Sequence, residues 1–198
     1  MLKPRRTPYH HPHLRGTLLR AAVRLIAQRG PAGFTLREVA RRARVSHNAP
    51  YRHFRNKDAL LAAVAEQGYR ELNEAMLAAA RRETTALARL KRAGWAYVSF
   101  ALRRPEYLAV MFDAPFPKEK YPECAKAGED AFGTLVALIG NYQREENLPA
   151  GDPKPLALAA WSLVHGIAKL AVTGRLPFAS GEQTLRFAEW ALDHSFLR

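Results

Sequence analysis

Cysteine is nearly missing from this sequence: Cys124 stands alone among 198 residues. One thiol closes no intramolecular disulfide, so the chain is expected to fold by packing and to work in a reducing compartment, the cytoplasm. Long apolar runs are missing as well. No stretch approaches the eighteen or so residues of a membrane span, and no apolar segment behind the charged N-terminus resembles a secretory leader. No membrane partner is expected. The marks of catalysis are lacking too. Acids are scattered, no His/Glu pair has metal-ligand spacing, no glycine-rich phosphate loop occurs, and no nucleophile signature surrounds Cys124. His10, His11 and His13 lack the partner cluster of a metal site. Neither an enzyme, a cofactor nor a metal is expected.

Acidic residues are scarce in one place. Residues 1–60 carry fourteen Lys and Arg against two acids, Glu38 and Asp58, a balance of +12. Residues 61–198 carry seventeen against sixteen, so almost the whole net charge of +13 lies in the first third. A block this basic on a near-neutral body needs a polyanion, and nucleic acid is the expected one. A peripheral membrane helix would pair its basic face with a broad apolar one, which short helices need for their own packing.

What is present reads as helix throughout, about nine in all, with no strand-like alternation and no internal repeat. In the first helix Leu14, Leu18, Ala22 and Leu25 form one stripe, closed by Gly30 and Pro31. Thr35 and Glu38 have the spacing of a capping box, with Phe34 and Val39 as the staple around it. Leu36, Val39, Ala40 and Ala43 then bury one face over about two turns. Ser46 is placed as the N-cap of a third helix, where Pro50 is tolerable only because it falls early. Asn56 caps a fourth helix with a stripe through Leu61, Val64, Gly68, Leu72 and Ala75. Two short helices with a tight link, backed by a third, make a helix-turn-helix unit. Its rim carries Thr35, Arg37 and Arg44, the residues Ser46, His47, Asn48, Arg52 and His53 at and beyond the third cap, and Lys57 at the fourth N-terminus. Such helix ends are natural phosphate seats.

The segment from Tyr9 to Val64, with Phe34-Thr35, Ala40, Val45-Ser46, Tyr51, His53-Phe54 and Lys57 in order, resembles the DNA-binding domain of the TetR/AcrR family of transcriptional regulators. Trp161, His165 and Gly166 resemble the WHG-type ligand-binding and dimerisation domain of one branch of that family. The resemblance implies that Thr35, Tyr51, His53 and Lys57 hold phosphates, that His47, Asn48 and Arg52 face base edges, and that Phe54 is core. It also implies a dimeric, ligand-released repressor on an inverted-repeat operator. A non-specific nucleoid-type DNA binder without an effector is the alternative. One departure stands out: Arg44 occupies a linker position that is usually glycine. If the backbone there keeps φ > 0, Arg costs about 1 kcal/mol relative to Gly. The basic arm with Lys3, Arg5 and Arg6 has the character of a minor-groove arm.

The expected organisation is an arm with a DNA-binding domain over residues 1–60 and a helical ligand-binding and dimerisation domain over 61–198. In the second, Trp95, Tyr97, Phe100, Met111, Phe112, Phe132, Trp161 and His165 are candidates to line a cavity for a small apolar or aromatic effector; singly, each reads first as ordinary core, and the family resemblance is what turns them together toward a pocket. Leu163, Ile167 and Leu170 belong to a line repeating at three and four, and Leu185, Leu192 and Phe196 to a similar line on the last helix. These are candidates for a homodimer seam, although a seam within one chain has the same pattern.

Overall fold

The computed structural model describes residues 14–146 and 151–194, so Phe196, the basic arm and the three early histidines lie outside the described residues. The described residues form eight α-helices and no strand: α1 (Leu14–Arg29), α2 (Leu36–Arg42), α3 (Lys57–Ala80), α4 (Ala86–Arg103), α5 (Pro105–Asp113), α6 (Pro122–Glu145), α7 (Lys154–Val172) and α8 (Gly181–His194).

The local signals are realised in the N-terminal part. Leu18, Ala22 and Leu25 of α1 are buried in the core with Phe34 and Val39. Gly30 ends α1 with φ 72°, its N–H reaching the Ile26 carbonyl at 2.8 Å. The capping box of α2 is complete. Thr35 Oγ1 accepts the Glu38 N–H at 3.3 Å, and Glu38 Oε2 accepts the Thr35 N–H at 2.9 Å. At the other end Arg44 does adopt the left-handed conformation, with φ 57°. The Val45 N–H reaches back to the Ala40 carbonyl at 3.0 Å and the Arg44 N–H to Arg41 at 3.1 Å. That pair of bonds is a Schellman motif, which ordinarily places glycine where Arg44 stands.

The expected third helix is corrected. It shrinks to a 3-10 turn over Pro50–Arg52 whose N-cap position is Ala49, not Ser46, and no side chain caps it. Pro50 has no N–H to give the Ser46 carbonyl, so the Ala49 N–H takes that carbonyl at 2.9 Å, one residue early. This is why eight α-helices stand where nine helices were expected.

α3 runs from this unit into the C-terminal part, packing on α1 near its start and on α4, α5 and α6 beyond. Its cap is Asn56, whose side chain accepts the Ala59 N–H at 2.9 Å. α4 is surrounded by α3, α6, α7 and α8, which explains why it is apolar most of the way round. α7 corrects the reading of hydropathy: an eighteen-residue window in it reaches a mean hydropathy of 1.5, the value of a membrane span, yet only 28% of that window is buried within the chain. Ala157, Ala160, Val164, Ile167 and Ala168 face inward, while Leu158 and Leu170 face out, 49% and 43% exposed.

Candidate nucleic-acid interface and ligand cavity

The 3-10 turn holds up an exposed, one-turn head. Ala49, Pro50 and Phe54 are buried, and they turn Ser46, His47, Asn48, Tyr51, Arg52 and His53 outward as one exposed surface. Tyr51 is 50% exposed, which is unusual for an aromatic ring without a partner to cover it. Phe54 fixes the head to α1, where the Arg15 guanidinium lies 5.7 Å from its ring centroid. Thr35 and Arg37 are exposed at the start of α2, and Arg44 at its end. All ten DNA-facing candidates therefore lie in this unit, nine fully exposed and Lys57 half-buried.

Little acid opposes the charge on this surface. Of the two acids in the unit, Asp58 is half-buried beside Lys57, and Glu38 is held by Arg29 at 2.7 Å and by Arg41 at 3.7 Å. Its carboxyl is kept below the usual range first by the Arg29 hydrogen bond and then by Thr35. Among the described residues, Arg37, Arg44 and Arg52 enter no ion pair and stay available to phosphates. Lys57 is more constrained than its motif implies. Its ammonium donates to the Ala32 carbonyl at 2.7 Å and lies 4.5 Å from the Phe34 ring centroid, pinning the α1–α2 loop to α3. Burial presses it below the usual lysine range, against the opposing pull of Asp58 and Glu38.

Inside the C-terminal helices is a cavity of about 250 Å³. Four of the eight ligand candidates line it: Tyr97, Phe112, Phe132 and Trp161. His165 stands directly behind them, its ring 4.5 Å from Phe112 and its Nδ1 2.8 Å from the Tyr97 hydroxyl. Burial lowers the His165 pKa, and Lys169 lowers it further, against the opposing pull of Asp113. The neutral ring then accepts the Tyr97 O–H, while Tyr97 accepts the Trp161 N–H at 3.4 Å. Burial also holds the Tyr97 hydroxyl well above the usual phenol range, so it stays protonated throughout this relay.

Three candidates are corrected. Trp95 lies about 200° around α4 from Tyr97, in a groove against Glu189, Leu192 and Asp193 of α8, under the Arg92 guanidinium. Phe100 packs on Tyr107 of α5, with ring centroids 6.4 Å apart. Met111 is wedged against α3, where its Sδ would lie 2.7 Å from a Cβ added at Gly68. Tyr69, Leu72 and Met76 of α3 also line the cavity and had not been singled out as ligand candidates. Their spacing of three and four was visible, but a cavity wall and a packing face share that pattern. Lys118, in the 3-10 turn Lys118–Lys120, was also missed, because nothing periodic marks that proline-broken loop.

The dimer candidates divide. Ile167 and Leu192 are corrected: they are 5% and 3% exposed within one chain, with Leu192 on the cavity wall, and so have almost no surface left for a partner. Leu163 and Leu185 are half-buried and Leu170 faces out. Near it the outward line of α7 carries Leu158, Ser162 and Gly166, and a Cβ on Gly166 would meet nothing within 4 Å. On α8 the outward aromatic is Trp190, 56% exposed.

Comparison with known proteins gives a match in each part of the chain. Residues 18–64 match the family model for bacterial regulatory proteins of the tetR family. Residues 90–195 match the tetracyclin repressor-like C-terminal domain. An HTH-type transcriptional repressor of Mycobacterium tuberculosis is 39% identical over 62 residues, 31% of this chain and 33% of that protein, so the match spans about a third of its length. A solved protein of unknown function from Rhodococcus sp. RHA1 is 36% identical, with a TM-score of 0.80 over 94% of this chain and 96% of its own. The crystal structure of AibR in complex with isovaleryl coenzyme A and operator DNA has the same fold, at 20% identity and a TM-score of 0.69 over 89% of this chain and 96% of its own.

Proposed function

The chain belongs to the TetR family of bacterial regulatory proteins, and on that premise we propose that it is a cytoplasmic, dimeric repressor released from an inverted-repeat operator by a small ligand. The observation that carries the reading is the unpaired cationic rim around the exposed 46–53 head, together with a largely apolar, aromatic-lined cavity in the same chain. Arg37, Arg44, Thr35, Tyr51, His53 and the free donors of Lys57 hold phosphates and set register, while His47, Asn48 and Arg52 reach base edges. Two heads enter successive major grooves, so their spacing is the quantity that a ligand has to change.

The homodimer forms through the outward faces of α7 and α8. An apolar helix with so little of its length covered needs a second apolar surface, and Ser162 and Gly166 let a symmetry-related helix approach closely between Leu158 and Leu170. Leu163 and Leu185 lie at the margin of this face.

Two paths join cavity to head. α3 carries Tyr69, Leu72 and Met76 on the cavity wall and Asn56 with Lys57 at its start. Tyr121, just past the Lys118 turn, has its hydroxyl 3.4 Å from Asn56 Oδ1 and its ring 5.5 Å from the Arg55 guanidinium. A ligand that fits better when these elements are displaced shifts the dimer away from the DNA-competent spacing by no more than that difference in affinity. The test is selection of bound sequences from random DNA, followed by footprinting. One short two-fold footprint that disappears with a cavity ligand is the expected result. Uniform, salt-sensitive coverage without a preferred site would overturn the reading in favour of a non-specific nucleoid-type binder.

A further inference from the structure

Among the described residues, Lys118 is the one charged residue on the cavity wall; the others that line it are aliphatic, aromatic, glycine or methionine. Its ammonium donates to the Met111 carbonyl at 2.5 Å and to the Tyr69 hydroxyl at 3.4 Å, and it lies 5.6 Å from the Phe112 ring centroid. No carboxylate among the described residues lies within 4 Å of it, whereas Lys91, Lys126 and Lys169 each pair with an aspartate. An ammonium has three N–H donors, and two are accounted for. Burial raises the Tyr69 phenol to about 12, so Tyr69 offers a hydroxyl and no counter-charge. A cation facing an apolar cavity with a spare donor and no protein anion is a mismatch that an anionic ligand removes.

The walls restrict what kind of anion fits. A dry cavity of about 150 Å³ takes one benzene, so 250 Å³ takes a ring or branched chain with a short extension. A phosphate dianion would leave its second charge unmatched against Phe112 and Tyr69. A single carboxylate balances a single ammonium.

Resting on the cavity reading above, we propose that the effector is a small apolar monocarboxylic acid whose carboxylate sits on Lys118 and whose hydrocarbon lies against Tyr97, Phe112, Phe132 and Trp161. The acid takes the spare donor of Lys118 and competes with Met111 for the others. The residue it engages is three positions from Tyr121, the contact to Asn56 and Arg55.

The test is titration calorimetry on the full chain with matched acid and amide pairs: phenylacetate, 3-phenylpropionate and 4-methylpentanoate against their primary amides. A charge-assisted bond predicts that the best acid binds about tenfold to a hundredfold more tightly than its amide. In Lys118→Met, which keeps the apolar stem, that gap closes; in Lys118→Arg it persists. Equal affinities of acid and amide for the parent protein, or a gap that survives in Lys118→Met, would overturn the assignment while leaving the cavity reading intact. Failure of acids and amides alike to bind would overturn both. The acid-to-amide ratio in the parent protein decides even if a variant fails to fold.

Discussion

Replacing Arg44 by glycine should stabilise the protein and weaken its hold on DNA at the same time. Arg44 sits at φ 57° just past α2, the position that Gly30 and Gly174 fill after α1 and α7 at φ 72° and 66°. A left-handed L-residue costs about 1–2 kcal/mol, and glycine returns about 0.4–1 kcal/mol of that through its freer unfolded chain. The net gain is about 0.5–1 kcal/mol, equivalent to about 1–4 °C in Tm for a chain of this size. Both Schellman bonds are made by backbone atoms and survive the change. The guanidinium, exposed and unpaired, does not. If it reaches a phosphate, its loss lowers the slope of log K against log salt by about 0.9 per contact. Calorimetric melting and a salt series of DNA-binding isotherms measure the two effects separately. Arg44→Ala is the control, because it removes the charge and keeps the strain. A melting temperature that stays level or falls in Arg44→Gly would refute the strain argument, and an unchanged salt slope would refute the phosphate contact.

Tyr97→Phe removes the oxygen that accepts the Trp161 N–H and donates to His165 Nδ1, leaving both groups short of a partner. A loss of about 1–3 kcal/mol in chemical denaturation is expected, and unchanged stability would show that water replaces the hydroxyl. The depressed pKa of His165 means that the unfolded chain binds its proton first. The stability from the neutral ring is therefore complete above pH 6.5 and is lost as pH falls through the lowered folded value. Melting curves between pH 8 and 5 should show a decline that His165→Gln reduces; an identical decline in that variant would remove His165 from the account. Tyr121→Ala should leave operator affinity within about threefold but cut a ligand-induced release, ordinarily about 5- to 150-fold, to under about fivefold. Full release in that variant would exclude Tyr121 from the coupling.

The helix starts were legible because a cap is local: Thr35 with Glu38, and Asn56 with Ala59, lie within one turn of each other, so residue spacing contains the whole interaction. The positive φ at Arg44 entered only as a condition, through the glycine that the family resemblance places in that link, and the backbone meets it. The exposed set around the head was legible through charge and motif order, both properties of one contiguous segment. The third helix was misjudged because patterning there favoured a helix, while the single N–H missing from Pro50 turned it into a 3-10 turn.

The sequence by itself determined an all-helical chain with a cationic head at one end, because capping, apolar period and charge act between near neighbours. Only the tertiary structure decided which face of each helix looks inward. Trp95 and Tyr97 share a helix and an aromatic character, yet one meets α8 and the other the cavity. Ile167 and Leu170 share a seam, yet one is buried in its own chain and the other is open to a partner. Lys118 comes to the cavity wall from a loop without periodicity, placed by contacts with Met111 and with Tyr69, 49 residues away. Sequence spacing fixes the angle between side chains on one helix; only the packing of other helices fixes what lies in each direction.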